Sequence, residues 1–247
     1  MRNRSTALIL AVMVLVFSPG MFAQTVAQSG AAKTAPDLSG IWMQGGGISG
    51  EGAIHRFTMD EPPLQPWALE KYKANRAGVT DPDEAGLEQN DPNTHCFPPG
   101  AARSMLMPYA FEIVQRPDQV YILFESGSGI RHIYTDGRAH PDDPSPTWMG
   151  HSIGKWEKDT LVVDTVALRE ETWVDRIGTP HSDALHMVER FRRVNKDTLE
   201  VEFLFEDSKA FTKPWGGQRI YHPQETEMTE YYVCEENLEM GKSREVH

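Results

Sequence analysis

Strand-forming runs joined by tight turns constrain the fold of this chain more than any other feature. Three pairs of such runs flank short polar turns at residues 116–119, 157–159 and 195–197, which is the pattern of antiparallel hairpins. Only residues 64–76 combine leading prolines with apolar side chains at helical spacing. We therefore expect an all-β fold with one short helix, either an up-and-down antiparallel barrel or a half-barrel. A β-sandwich is the alternative.

Ten strands are expected in sequential order, after an irregular N-terminal arm. They cover residues 40–44, 110–115, 120–125, 130–135, 151–156, 160–166, 185–194, 198–206, 218–222 and 228–234.

The N-terminal residues have the pattern of an export signal. Arg2 and Arg4 are basic, residues 7–17 form an apolar run too short to span a bilayer, and small residues follow at Ala23 and Ala27. We expect residues 1–23 to be a signal peptide, with cleavage after Ala27 as the second choice. Residues 24–36 then form a disordered linker, 37–237 a single β-barrel domain and 238–247 a flexible tail. The expected location is periplasmic or secreted, without stable membrane insertion.

Charge and cysteine content restrict the partners and the compartment. The formal net charge is −12, so nucleic acid is not expected as a partner, and a small organic molecule is. The oligomeric state stays open. Cys96 and Cys234 are the two cysteines, and an oxidising compartment favours a disulfide between them. A reactive thiol is the alternative.

Candidate site residues concentrate between residues 129 and 193, where five of the nine histidines fall. His151 and His186 are the expected proton-exchanging residues, because imidazole titrates near neutral pH. Asp164 and Asp183 are expected to orient them. Arg131 is expected to stabilise developing negative charge. We assign His132 and His140 to turns and loop packing.

Further side chains are candidates for contacts with a ligand in the barrel lumen. They are Glu112, Tyr121, Trp148, Trp173, His181 and Glu189. Charged residues share strand faces with aliphatic ones, which suits a polar lumen. The competing interpretation is a buried structural ion network, and tryptophans in a small β domain usually belong to the core.

A metal site is a second possibility for the histidines. If His151, His181 and His186 converge, they could bind zinc or iron, although the spacing from His181 to His186 matches no short ligand motif. No cofactor is predicted.

Long motifs resemble a large family of uncharacterised exported bacterial proteins. They are residues 133–138 (IYTDGR), His140-Pro141, 148–157 (WMGHSIGKWE), 159–165 (DTLVVDT), 181–193 (HSDALHMVERFRR) and 232–237 (YVCEEN). In addition, Gly40-Ile41-Trp42 is similar to the first strand of lipocalin-like (calycin) barrels, where the Trp closes one end. The resemblance covers residues 36–237 and implies export and a lipocalin-like sheet. It implies no reaction.

Three functions remain open from the sequence. The first is an exported small-molecule enzyme that uses cofactor-free acid/base chemistry of the isomerase, hydratase, lyase or cyclase type in the barrel lumen. The second is a periplasmic carrier or sensor of a small ligand. The third is a metal-dependent hydrolase.

Overall fold

Nine β-strands close into a barrel within residues 35–50, 53–76, 90–127 and 129–229, the part of the chain that the computed structural model describes. The strands are β1 Gly40–Gly46, β2 Phe111–Gln115, β3 Gln119–Phe124, β4 Ile130–Tyr134, β5 His151–Glu157, β6 Thr160–Val166, β7 His186–Asn195, β8 Thr198–Glu206 and β9 Trp215–Pro223. They follow one another around the barrel in chain order, and β9 pairs with β1. This confirms the predicted all-β barrel.

Two α-helices and two 3-10 turns accompany the barrel in the described residues. Helix α1 (Pro66–Asn75) lies inside the predicted range 64–76. It begins at a proline, which suits the first position of a helix because an N–H there would have no partner within the helix. It buries Ala68 and Tyr72. The five-residue helix α2 covers Gly100–Ser104. The 3-10 turns are Ala53–His55 and Pro92–His95.

One pair of neighbouring strands departs from the predicted antiparallel order. Strands β4 and β5 are parallel, with Ile133 opposite Ser152 and Tyr134 opposite Ile153. Parallel neighbours cannot be joined by a tight turn, and here residues 135–150 carry the chain back to the start of β5. The turn residues Asp136-Gly137 therefore begin a crossover instead of a hairpin.

The barrel interior is a packed core. Alternate residues are buried on several strands, as on β8, where Leu199, Val201, Phe203 and Phe205 point inward. Trp42 of the Gly-x-Trp pattern is fully buried, donates from Nε1 to the Leu38 carbonyl at 3.1 Å, and has the Arg193 guanidinium 5.1 Å from its ring centroid. The core thus occupies the space that the sequence analysis assigns to a ligand-binding lumen.

Several predicted features lie outside the described residues. They are the signal peptide, most of the 24–36 linker, the tail and Cys234. The Cys96–Cys234 disulfide therefore stays a prediction. Of the expected tenth strand, only Met228 and Thr229 are described, and neither is in a strand. None of the described helices is long and apolar enough to cross a bilayer.

Candidate functional site

Three histidines and two carboxylates form a continuous hydrogen-bonded row on the outer face of the barrel. His151 Nδ1 lies 2.7 Å from His140 Nδ1, and His140 Nε2 lies 3.1 Å from Asp164 Oδ1. The same carboxylate oxygen is 2.9 Å from His186 Nε2, and His186 Nδ1 is 2.9 Å from Glu206 Oε2. We call these five residues the histidine–carboxylate row.

The strands place four members of the row by simple alternation. His151, Asp164, His186 and Glu206 each neighbour a buried residue in sequence, so they project from the outer face. His186 is directly opposite Glu206 in the β7–β8 ladder. Asp164 is opposite Val188, two positions from His186. Cross-strand neighbours at these spacings are close enough for long polar side chains to meet.

His140 reaches the row from the crossover between β4 and β5. It bridges His151 and Asp164, two groups that have no direct hydrogen bond in the described structure. Its side chain is four-fifths buried, with 19% exposed. The sequence predicts loop packing for His140, and in the structure its two ring nitrogens also join the two halves of the row.

Tyr134 and Arg138 cover the His151 end. The Tyr134 ring stacks on His151 with 5.5 Å between centroids, and the Arg138 guanidinium lies 3.9 Å from the Tyr134 centroid. Asp136 holds Arg138 through hydrogen bonds of 2.6 to 3.0 Å. Burial, then the neighbouring His140 and Arg138, lower the pKa of His151 below its usual value. His151 is therefore neutral at pH 7, which is the form that accepts a proton.

Hydrogen-bond complementarity assigns the protons along the row. An ionised Asp164 only accepts, so the facing Nε2 atoms of His140 and His186 both donate. A neutral His140 then accepts at Nδ1, the Nδ1 of His151 donates to it, and the lone pair of His151 is at Nε2.

The other end of the row can hold a transferable proton. His186 faces a carboxylate oxygen from each ring nitrogen. With Asp164 ionised, both contacts are hydrogen bonds if His186 is an imidazolium or Glu206 is protonated. This arrangement allows an acid at one end of the row and a base, His151, at the other.

Arg131 is not part of this site. It is fully buried inside the barrel, where Nη1 donates to Glu189 Oε1 at 2.9 Å and Nη2 contacts the second oxygen of the same carboxylate. Arg131 also donates to Ser152 Oγ at 3.2 Å and to Thr165 Oγ1 at 2.8 Å. The predicted roles of Arg131 in charge stabilisation and Glu189 in ligand binding stay predictions, and the structure places both side chains inside the barrel, away from the row. The competing interpretation, a buried structural ion pair, describes these two residues.

Asp183 and His181 also lie apart from the row. Asp183 is exposed and pairs with Lys209 Nζ at 2.6 Å, which lowers its pKa. His181 is buried, with one ring nitrogen 2.8 Å from Thr172 Oγ1 and the other 2.8 Å from the Ser182 carbonyl oxygen. Neither side chain contacts His151 or His186 in the described structure, so the predicted orienting role of Asp183 stays a prediction, and the three histidines proposed as metal ligands do not converge. Among the described residues, no group of three or more His, Cys, Asp or Glu side chains is arranged to hold a metal ion.

The remaining predicted ligand contacts are dispersed. Glu112 and Tyr121 project outward from β2 and β3, and Tyr121 donates to Gln119 at 2.7 Å. Trp148 lies under Arg169, 4.3 Å from its ring centroid. Trp173 is buried against Arg103. The structure does not bring these four side chains to one place.

Two row residues, Glu206 and His140, are not among the site residues that the sequence predicts. Glu206 ends a strand whose alternation is clear, and pairing that strand with β7 would have placed it opposite His186. No comparable signal marks His140, which lies outside the strands.

Comparisons with known proteins add no family to this description. The chain matches no protein-family model, and no curated protein is detectably similar to it.

Proposed function

We propose that this chain is a small-molecule enzyme that uses cofactor-free acid/base chemistry of the isomerase, hydratase, lyase or cyclase type. The observation that carries the proposal is the unbroken histidine–carboxylate row, which links His151 to Glu206 through four hydrogen bonds of 2.7 to 3.1 Å. Side chains placed within hydrogen-bond reach of one another can pass protons, and such groups contribute about 10²- to 10⁴-fold to a rate.

The two ends of the row have different tasks. His186 and Glu206 lie on the open strand surface, with 34% and 43% of their side chains exposed, and they donate or accept the proton of the substrate. His151, stacked against Tyr134, exchanges protons with the solvent. Asp164 and His140 connect them, so a proton taken from one atom of the substrate can be replaced at another without release of the substrate.

Export to the periplasm or to the medium belongs to the same proposal. It is supported by the leader-like residues 1–23 and the pair Cys96 and Cys234, which would form a disulfide in an oxidising compartment. A small organic molecule is the proposed partner.

A carrier or sensor of a small ligand is the second candidate. It is favoured by an open surface groove of about 620 Å³ that begins beside the row, because a volume of that size suits a small molecule whether or not it reacts.

Proton exchange in deuterated water separates these candidates. The probes are neutral aryl alkyl ketones, whose C–H groups beside the carbonyl exchange only when the proton is removed, and deuterium incorporation is followed by proton NMR. We expect exchange above the buffer rate, and a loss of about 100-fold in Asp164→Asn.

Asp183→Asn is the matched control, because it removes an exposed carboxylate outside the row and should exchange at the unaltered rate. Equal rates in Asp164→Asn and the unaltered protein would contradict the proposed chemistry. Probes recovered bound but unexchanged would favour the carrier.

A further inference from the structure

An open groove crosses the outer face of β7, β8 and β9 and begins where the histidine–carboxylate row ends. Its volume is about 620 Å³. Its lining includes Val188, Arg190, Glu202, Leu204, Gly216 and Gln218. Val188 is two residues after His186 on the same strand face, and Leu204 is two residues before Glu206. Two residues along a strand span about 7 Å, so the groove and the acid end of the row are adjacent.

The centre of the groove is apolar and flat. Val188 is directly opposite Leu204, and Leu204 is directly opposite Gly216. Leu204 is one of the exposed large apolar residues, with 39% of its surface accessible. A Cβ at Gly216 would lie 1.8 Å from the Phe203 carbonyl oxygen, so this position excludes every side chain. Bare backbone beside two aliphatic side chains gives a surface on which a flat ring can lie.

Charges at the far end of the groove balance one another. Arg190 is opposite Glu202, and Glu202 is opposite Gln218. Arg190 also donates to Glu157 at 2.9 Å. Of the residues that line the groove, Arg190 and Glu202 carry formal charge, and these two charges cancel. Because Glu157 also neutralises Arg190, the rim offers no free cation to an anion, and a neutral ligand fits it better.

The size and the topology of the groove favour a small molecule over a peptide. It spans three strands, about 10 Å at the usual strand spacing, and its volume lies in the usual range for small-molecule sites. An extended peptide would bind most readily by adding a strand to a sheet edge. The nine strands form a closed barrel, and a closed barrel has no such edge.

We propose that this groove binds a neutral small molecule with a flat apolar body and one polar group, and that the polar group meets His186 and Glu206. Binding follows from the groove alone. The role of the polar group rests on the proposed function, since His186 and Glu206 supply the proton. The substrate class is thus a neutral ring compound with a hydroxyl, carbonyl or similar group at one end.

Binding of N-phenyl-1-naphthylamine, a neutral aromatic dye that fluoresces in apolar surroundings, tests the groove directly. Leu204→Lys should weaken dye binding at least about tenfold, because it places an ammonium group against the apolar floor. Val194→Lys is the matched control. It makes the same change at an exposed apolar position near the end of β7 (47% accessible), and we expect an affinity within about twofold of the unaltered protein. Thermal unfolding of both variants checks that the barrel is intact.

Amide chemical shifts locate the bound dye independently of the variants. The amides of Gly216, Gly217 and Gln218 should shift most on dye addition in a nitrogen–proton correlation spectrum. The groove assignment is overturned if the dye does not bind, if its largest shifts fall elsewhere, or if Leu204→Lys and Val194→Lys weaken it equally. It is also overturned if Leu204→Lys converts a dimer to a monomer in sedimentation, because the groove would then hold a second copy of the chain.

These experiments distinguish a wrong groove assignment from a wrong proposal of acid/base chemistry. Asp164→Asn should lower deuterium exchange about 100-fold but retain dye binding. An unaltered protein that binds the dye and exchanges no proton supports the groove and contradicts the enzyme. Exchange that survives in Leu204→Lys with unaltered KM keeps the enzyme and places its substrate elsewhere.

Discussion

The barrel wall carries one polar network on each side of the same strands, and the two have opposite properties. The inner network joins Arg131 to Glu189 with both side chains fully buried. The outer network is the histidine–carboxylate row, whose members are partly exposed. Neighbouring residues such as His151 and Ser152 belong to different networks. Adjacent residues on one strand can thus belong to the buried structural network or to the row of titratable groups.

Burial determines what a charged group can do in each network. An arginine side chain stays protonated in proteins. The pairing of Arg131 with a buried carboxylate therefore leaves no proton to exchange. The outer row uses imidazoles, which change charge near neutral pH, and water reaches both of its ends. We expect changes in the inner network to alter stability and changes in the outer row to alter activity.

Glu189→Gln should give the largest effect on stability. It removes the charge that compensates the buried Arg131, and breaking a buried pair in this way costs about 3 to 5 kcal/mol. The free energy of unfolding from urea titration measures the loss. The control is the double variant Arg131→Met with Glu189→Met, which removes both charges and should recover most of the stability. A loss below about 1 kcal/mol in Glu189→Gln would erase the distinction between the two networks.

Ser152→Ala and His151→Gln compare the two faces at adjacent positions. Ser152 accepts from Arg131 and hydrogen-bonds to Thr165 at 2.9 Å, so its loss leaves buried donors without a partner and costs about 1 to 3 kcal/mol. His151→Gln should lower the exchange rate by about 100-fold with little change in stability. Paired urea titrations and exchange rates measure both effects, and an equal fall in stability for the two variants would contradict the assignment of faces.

The pH dependence of stability should show a smaller effect of His151. Its pKa is lowered in the folded state by burial and by His140 and Arg138, so the unfolded chain binds the proton more readily. The stabilisation is present above about pH 6.5, the unfolded pKa. It is lost as the pH falls through the lowered pKa of the folded state.

His151→Gln should therefore flatten the curve of unfolding free energy against pH below about 6.5. Burial also lowers the pKa of His181, and that contribution stays in both proteins. The difference between the two curves isolates His151, and identical slopes would show that it is protonated equally in both states.

Asp183→Asn should give the smallest effect. Asp183 is 63% exposed and pairs with Lys209 at the surface, and exposed ion pairs contribute little. We expect no measurable change in urea midpoint or in exchange rate. A loss of activity would bring Asp183 back into the site that the sequence analysis proposes.

The strands could be predicted because alternation and turn residues are local signals. β6 and β8 have the predicted bounds, and most others differ by one or two residues. The face of Arg131 could not be predicted, because a period of two groups residues without telling which group points inward. Arg131 shares its face with Ile133, and only closure of the barrel puts that face inside.

Only part of the site could be predicted, for a similar reason. His151, Asp164 and His186 lie on strands, and the sequence analysis selects them. His140 lies in the crossover, where no strand phase fixes its direction, and Glu206 gains its role only through its position opposite His186. Asp183 and His181 are near these residues in sequence, but the loop before β7 turns them to other partners.

Because β4 and β5 are parallel neighbours, the row can form only after the crossover between them has folded. Its members come from the crossover and from four successive strands, so no single hairpin contains the connected base and acid. Contacts between distant parts of a chain form slowly, and the crossover must settle before His140 can join its neighbours. A partly folded chain would therefore catalyse no proton exchange. The onset of exchange during refolding would mark the moment when strands β4 to β8 have assembled.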